Sequence, residues 1–147
     1  MSLNDEARAF LDRHAVAHLA TAGADGAPHV VPLCYARLGD ALYFVADDKP
    51  KRHGPRGLRR LANIAENPRV ALVVDDYDDA WQRLAYLLVH ADAAAVTDAA
   101  EYAAALAALR ARYAPYRRMP LGVATHPMVR LQPRRWHLWR IDEGRLR

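Results

Sequence analysis

Between residues 47 and 60 the chain reads DDKPKRHGPRGLRR, which places Lys49, Lys51, Arg52, Arg56, Arg59 and Arg60 within one short stretch. The chemistry open to such residues is anion binding. Guanidinium groups meet phosphate in bidentate geometry. The stretch also leads into a helix, whose first amides and positive dipole end favour the same charge. A phosphorylated small molecule suits the pattern best. A solvated basic loop and a weak nucleic-acid patch are the alternatives, because basic runs are often interaction tails. Gly54 and Gly57 complete no nucleotide fingerprint, since neither GxGxxG nor GxxxxGK[ST] occurs.

Other constellations carry less. His14 and His18 stand four apart, as helical metal ligands do, but no nearby carboxylate or third histidine completes a set. Asp75, Asp76, Asp78 and Asp79 lack the glycine and terminal glutamate of a calcium loop and read as a solvated connection. Cys34 is the single cysteine, so the chain forms no internal disulfide and no cysteine-based zinc cage. No metal site is expected. There is also no GxSxG elbow. An enzyme without an evident nucleophile, acid or base requires a cofactor that brings its own reactive atom, as flavins and deazaflavins do in hydride transfer.

Composition bounds the class. The 147 residues match one ordinary domain, expected over 1–147. Charge is 26% of the chain with both signs interspersed, which indicates a globular protein. The net charge of +4 does not by itself point to nucleic acid, because nineteen of the 21 basic residues are arginine and both lysines fall in one loop. No run approaches the roughly 20 apolar residues that span a bilayer. The start MSLNDEARAF has acids where a signal peptide carries basic and then apolar residues. A cytoplasmic protein without membrane or nucleic-acid partners is expected.

The elements that must position the basic stretch follow from periodicity. Asn4 caps a first helix with Ala7, Phe10, Leu11 and His14 on one face. Strands are expected over 18–22, 28–37 and 41–46, joined by GADGAP and LGD as an antiparallel meander. Pro28 and Pro32 remove two backbone donors, so the second strand belongs at an edge or carries a bulge. Leu58, Leu61, Ala62 and Ile64 mark a short helix closed by Asn67-Pro68. RVALVVD and LAYLLVHADAAAVTD continue as strands, and Asp98 with Glu101 has capping-box spacing for a third helix facing inward through Tyr102, Leu106, Leu109 and Tyr113. Four prolines then surround MVRLQ, followed by RRWHLWRI. Six or seven mostly antiparallel strands with inserted helices suit a closed or split barrel, which leaves few open edges.

Together, LATAGADGAPHVVPLCYA, GDALYFV, KPKR and RRLANIAENPRVALVVDDYDDAW resemble the pyridoxamine-phosphate-oxidase class of proteins, and in particular its actinobacterial branch that uses the deazaflavin coenzyme F-420. The resemblance covers nearly the whole chain and is most specific over residues 18 to 81. It implies a mainly β fold with helices (α+β), a six-stranded antiparallel split β-barrel of the FMN-binding kind. It also implies a homodimer with the cofactor in a groove between subunits. In the flavin-mononucleotide oxidases of that class an arginine-lysine pair before an Asn-Pro holds the phosphate. Arg59 and Arg60 stand at the matching spacing from Asn67-Pro68. Those oxidases also carry an arginine and a lysine in the second strand, where this chain has Val31 and Ala36, a departure that favours the deazaflavin branch.

The implied function is an oxidoreductase that moves a hydride to or from a small-molecule substrate, with coenzyme F-420 preferred and FMN as the alternative. Lys51, Arg52, Arg56, Arg59 and Arg60 would bind the phosphorylated cofactor, and Val31, Pro32 and Leu33 would press backbone against its ring. A non-catalytic cofactor carrier is the reading from another class. Substrate choice would lie in loops 77–84 and 114–127.

Overall fold

The computed structural model describes residues 2–47 and 58–141. The basic loop between them, with Lys49, Lys51, Arg52 and Arg56, lies outside the described residues. Three helices and seven strands follow in chain order: α1 Asp5–Arg13, β1 Ala17–Ala22, β2 Pro28–Leu33, β3 Ala36–Leu38, β4 Ala41–Val45, α2 Arg59–Glu66, β5 Arg69–Asp76, β6 Ala85–Ala95, α3 Ala99–Arg112 and β7 Met128–Arg140. All seven strands belong to one antiparallel sheet in the order β2-β1-β5-β6-β7-β4-β3. The fold is mainly β with helices, a curled half-barrel of the split-barrel type.

The expected strand over 28–37 is in fact two. It breaks at Cys34 and Tyr35, and its halves, β2 and β3, occupy opposite ends of the sheet order. The continuous meander is therefore replaced by two separate hairpins, β1–β2 and β3–β4. Counted as one bent strand, β2 and β3 give six strands; counted separately, seven. This two-residue corner carries the chain from one sheet edge to the other and so curls the sheet. The sequence has no glycine or proline there to announce it.

The corner is held from outside. Tyr35 is fully buried and donates its hydroxyl to the carbonyl of Leu11 at 2.6 Å. Arg112, at the end of α3, donates to the carbonyls of Tyr35 at 2.8 Å and Asp12 at 3.2 Å, and to that of His14. Its guanidinium lies 4.8 Å from the centre of the Tyr35 ring. Tyr113 bonds the carbonyls of Ala15 and Tyr35. The last carbonyls of α1, which a helix cannot satisfy internally, thus become the anchor of the barrel seam.

Burial follows the sheet period. In β6 the inward residues Ala85, Leu87, Val89, Ala91 and Ala93 are buried and alternate with half-buried neighbours, despite the many alanines. β4 is buried at all five positions. One of its faces, Leu42 and Phe44, joins the barrel core with Phe10, Leu11, Leu19, Leu72 and Leu131. The other, Tyr43 and Val45, packs under α3 with Tyr102, Ala105, Leu106 and Leu109. Asn4 caps α1 through Ala7 at 2.8 Å, and Asp98 caps α3 through Glu101 at 2.8 Å. The Glu101 carboxylate does not close a capping box. It accepts from Arg130 and Tyr43 instead, fastening α3 to the sheet.

Pro28 and Pro32 stand on the outermost strand, and the β1–β2 register runs without a shift from Ala17↔Leu33 to Ala22↔Pro28. The edge position, and no bulge, accommodates them. In an antiparallel strand alternate residues turn both backbone groups to the same side. Prolines four apart therefore leave both missing donors on one side, and only the open edge tolerates that.

Candidate cofactor site

α2 begins where its own chemistry is unfavourable. Its first turn holds Arg59 and Arg60 and no acid, and Leu58 at the N-cap supplies no side-chain bond. Cations at a helix start oppose the dipole, and uncapped first amides favour an anion. The helix is secured elsewhere. Asn63, buried, donates Nδ2 to Thr21 Oγ1 of β1 at 3.0 Å, and the Glu66 carboxylate accepts from the Ala24 amide at 2.7 Å. A Cβ at Gly23 would meet Glu66 Oε2 at 2.6 Å, so a side chain there would have to displace the Glu66 carboxylate that ties α2 to the β1–β2 turn.

This docking sets Arg59 beside the edge hairpin. Asp25, Ala27, Pro28, His29, Arg59 and Asn63 line one cleft of about 290 Å³. Arg59 is exposed and makes no hydrogen bond or ion pair among the described residues. Arg60 is not among the residues lining that cleft. It is half-buried, and its Nε is enclosed without a hydrogen-bond partner among the described residues. Burial pulls its pKa below the ordinary arginine value, and the charges of nearby Asp47 and Tyr116 oppose that shift. Asp47, buried at the end of β4, accepts from the Tyr116 hydroxyl at 2.7 Å. Burial, reinforced by that carboxylate, raises the Tyr116 pKa.

The two arginines therefore share one helix end but face different neighbours, Arg59 the β1–β2 hairpin and Arg60 the Asp47–Tyr116 pair. Of the other expected contacts, Val31 is half-buried, Pro32 exposed and Leu33 buried on β2. Leu33 belongs to the core. With Pro28 and Pro32 facing the open edge, the outward backbone groups of β2 are those of residues 28, 30 and 32, so Val30, 65% exposed, offers its backbone at the edge, whereas Val31 and Leu33 turn theirs to β1. Lys51, Arg52 and Arg56 lie outside the described residues. Sequence reasoning passed over His29, Asn63, Asp47 and Tyr116, which come together through β-pairing and helix docking and share no local spacing.

His14 and the acidic segment have other work. His14 shares short contacts with Asp76 at 2.7 Å and with the Phe10 carbonyl at 2.6 Å, and it stacks on Phe10. Asp76 also receives Arg13 at 2.9 Å. Asp78 accepts from the Ala80 amide at 2.7 Å.

A split β-barrel with an arginine-headed second helix against its edge hairpin defines a class of fold and site, and comparison gives the family. Residues 3–140 match the family described as pyridoxamine 5'-phosphate oxidase, and the chain belongs to it. Solved structures of similar fold include an F-420 reductase, 26% identical, with 92% of this chain and 98% of that chain covered and a TM-score of 0.64. The FAD-binding protein from Mycobacterium smegmatis is 19% identical over 97% of this chain and 100% of that one, with a TM-score of 0.64. The haem storage protein HutZ from Vibrio cholerae is 20% identical over 95% of both chains, with a TM-score of 0.70. None of the curated proteins matches the chain significantly.

Proposed function

We propose that this chain is a flavin-type oxidoreductase that uses the deazaflavin coenzyme F-420, in preference to FMN, to move a hydride to or from a small molecule. The observation that carries the reading is the head of α2, where, among the described residues, Arg59 stands unpaired in a cleft and Arg60 holds an enclosed, unpartnered Nε. An enclosed donor without an acceptor is costly, and a phosphate oxygen would relieve it. Arg59 and Arg60 bind the phosphate, and the β2 edge at Val30 to Pro32 lies against the ring. The cofactor, when bound, supplies the hydride chemistry, which this chain's side chains do not.

Flavin, deazaflavin and haem all occur among proteins of this fold. The arginines weigh toward the phosphorylated cofactors, since haem binding begins with an axial ligand to iron. Val31 and Ala36 stand where the oxidases carry cations, and this supports the deazaflavin choice.

The protein acts as a homodimer. Tyr77, Trp81 and Trp139 are 73%, 55% and 37% exposed on the single chain, and Trp139 stacks on Tyr86 with ring centres 5.5 Å apart. Aromatic surface of this kind is what subunit interfaces cover. The test is turnover. Protein loaded with reduced coenzyme F-420 is mixed with a panel of small acceptors, and the return of the oxidised spectrum is followed. Catalytic oxidation of many equivalents supports an enzyme. Tight binding without turnover by any acceptor assigns a carrier instead.

A further inference from the structure

β6 and β7 form the longest strand pair, and it is irregular at one point. The register runs from Ala85↔Arg140 to His90↔Arg135 and resumes at Ala91↔Pro133, which leaves Arg134 without an opposite residue. Regular strands send successive side chains to opposite faces, whereas a bulge places two neighbours on one side. Here Arg134 and Arg135 are both exposed, next to buried Pro133. The same outer surface receives His90, directly opposite Arg135, and Arg69 from the start of β5. Arg69, His90, Arg134 and Arg135 line one cleft of about 380 Å³ with Val70 and Ala91.

The cleft carries more basic than acidic groups. Asp92 reaches Arg134 at 3.4 Å and stands directly across from Arg69 in the β5–β6 register. Arg69 and Arg135 form no ion pair among the described residues. The bulge adds a third guanidinium where a regular ladder would have sent it to the opposite face. Three guanidinium groups around a concave surface match the oxygens of a phosphate, which they bind in bidentate fashion. This cleft shares no lining residue with the Arg59 cleft. We propose that the β6–β7 bulge builds a second anion site, specific for the phosphate group of a small phosphomonoester and independent of the cofactor.

The experiment uses the full chain saturated with coenzyme F-420, so that the head of α2 is already filled, and titrates inorganic phosphate at low ionic strength by calorimetry, with chloride at equal ionic strength as the control. Saturable phosphate binding is expected. Arg69→Gln and Arg135→Gln should each weaken it at least tenfold, while Arg118→Gln leaves it unchanged. Thermal melts of every variant check that the fold is intact, and Arg135→Lys, which keeps the charge and loses the fork, should fall between wild type and Arg135→Gln. Coenzyme F-420 affinity should be the same in Arg135→Gln as in wild type. Phosphate binding that survives the Arg69→Gln/Arg135→Gln double substitution, or that chloride matches, overturns the site. Loss of cofactor affinity in Arg135→Gln overturns its independence, because the cleft would then serve the cofactor's own anionic groups. Retained F-420 binding with no phosphate response rejects this site and leaves the cofactor reading intact.

Discussion

Arg59 and Arg60 are adjacent in sequence and unlike in structure. Arg59 is exposed and makes no hydrogen bond or ion pair among the described residues, so Arg59→Ala should change unfolding free energy by less than about 0.5 kcal/mol. A charge-assisted bond to phosphate contributes about 1.5 to 3 kcal/mol, so the same substitution should weaken cofactor binding roughly tenfold to a hundredfold. Denaturant melts and calorimetric titration of one variant, with Arg118→Ala as the control, measure both quantities. Equal binding by both variants would remove Arg59 from the site. The basic stretch was legible from composition and from its distance to Asn67-Pro68. The different surroundings of the two side chains were not, because neighbours on a helix face about 100° apart and only tertiary docking decides what each one meets.

Among the elements, the helices and most strands were readable because capping residues and apolar period agree with the tertiary contacts. The β2–β3 corner was not readable. PHVVPLCYAR has the period of a single strand, and the break is imposed by groups distant in sequence, chiefly Arg112 and Tyr113. Arg112→Ala should therefore destabilise the protein by about 2 to 4 kcal/mol, since several carbonyls lose a charged donor at once. Chemical denaturation checks this, and a loss below about 0.5 kcal/mol would show that the corner holds without the clamp.

The junction of α1 with β5 carries a pH signature. The Arg13 hydrogen bond, opposed by burial and assisted by His14, lowers the Asp76 pKa from 3.8 to about 2. A folded-state value below the unfolded one gives stability that is complete above pH about 4 and is lost as pH falls toward 2. Arg13 is half exposed, so the contribution is discounted to about 1 kcal/mol. Asp76→Asn should be less stable than wild type by that amount at neutral pH, and the two melting curves should converge near pH 2. A gap that persists undiminished at pH 2 would assign the effect to something other than this carboxylate.

At the scale of the whole molecule, the curled sheet leaves one edge, β2, beside α2, and an aromatic surface elsewhere on a single chain. A dimer that covers Tyr77, Trp81 and Trp139 should scatter light as about 33 kDa, twice the 16.5 kDa of one chain. A mass near 16.5 kDa at micromolar concentration would contradict the shared groove. The split barrel was accessible from strand count and resemblance, whereas the cleft between the hairpin and α2 depends on contacts such as Asn63 to Thr21 that no local pattern encodes.

The claim on which the rest depends is that this barrel holds a phosphorylated deazaflavin at the head of α2. Its most direct test is calorimetric titration of the cofactor-free protein with coenzyme F-420 and, in parallel, with FMN. The account predicts saturable binding of both through the phosphate contacts at Arg59 and Arg60, with coenzyme F-420 bound at least tenfold more tightly. Tighter binding of FMN would contradict the deazaflavin assignment, and failure of either cofactor to bind would contradict the site itself.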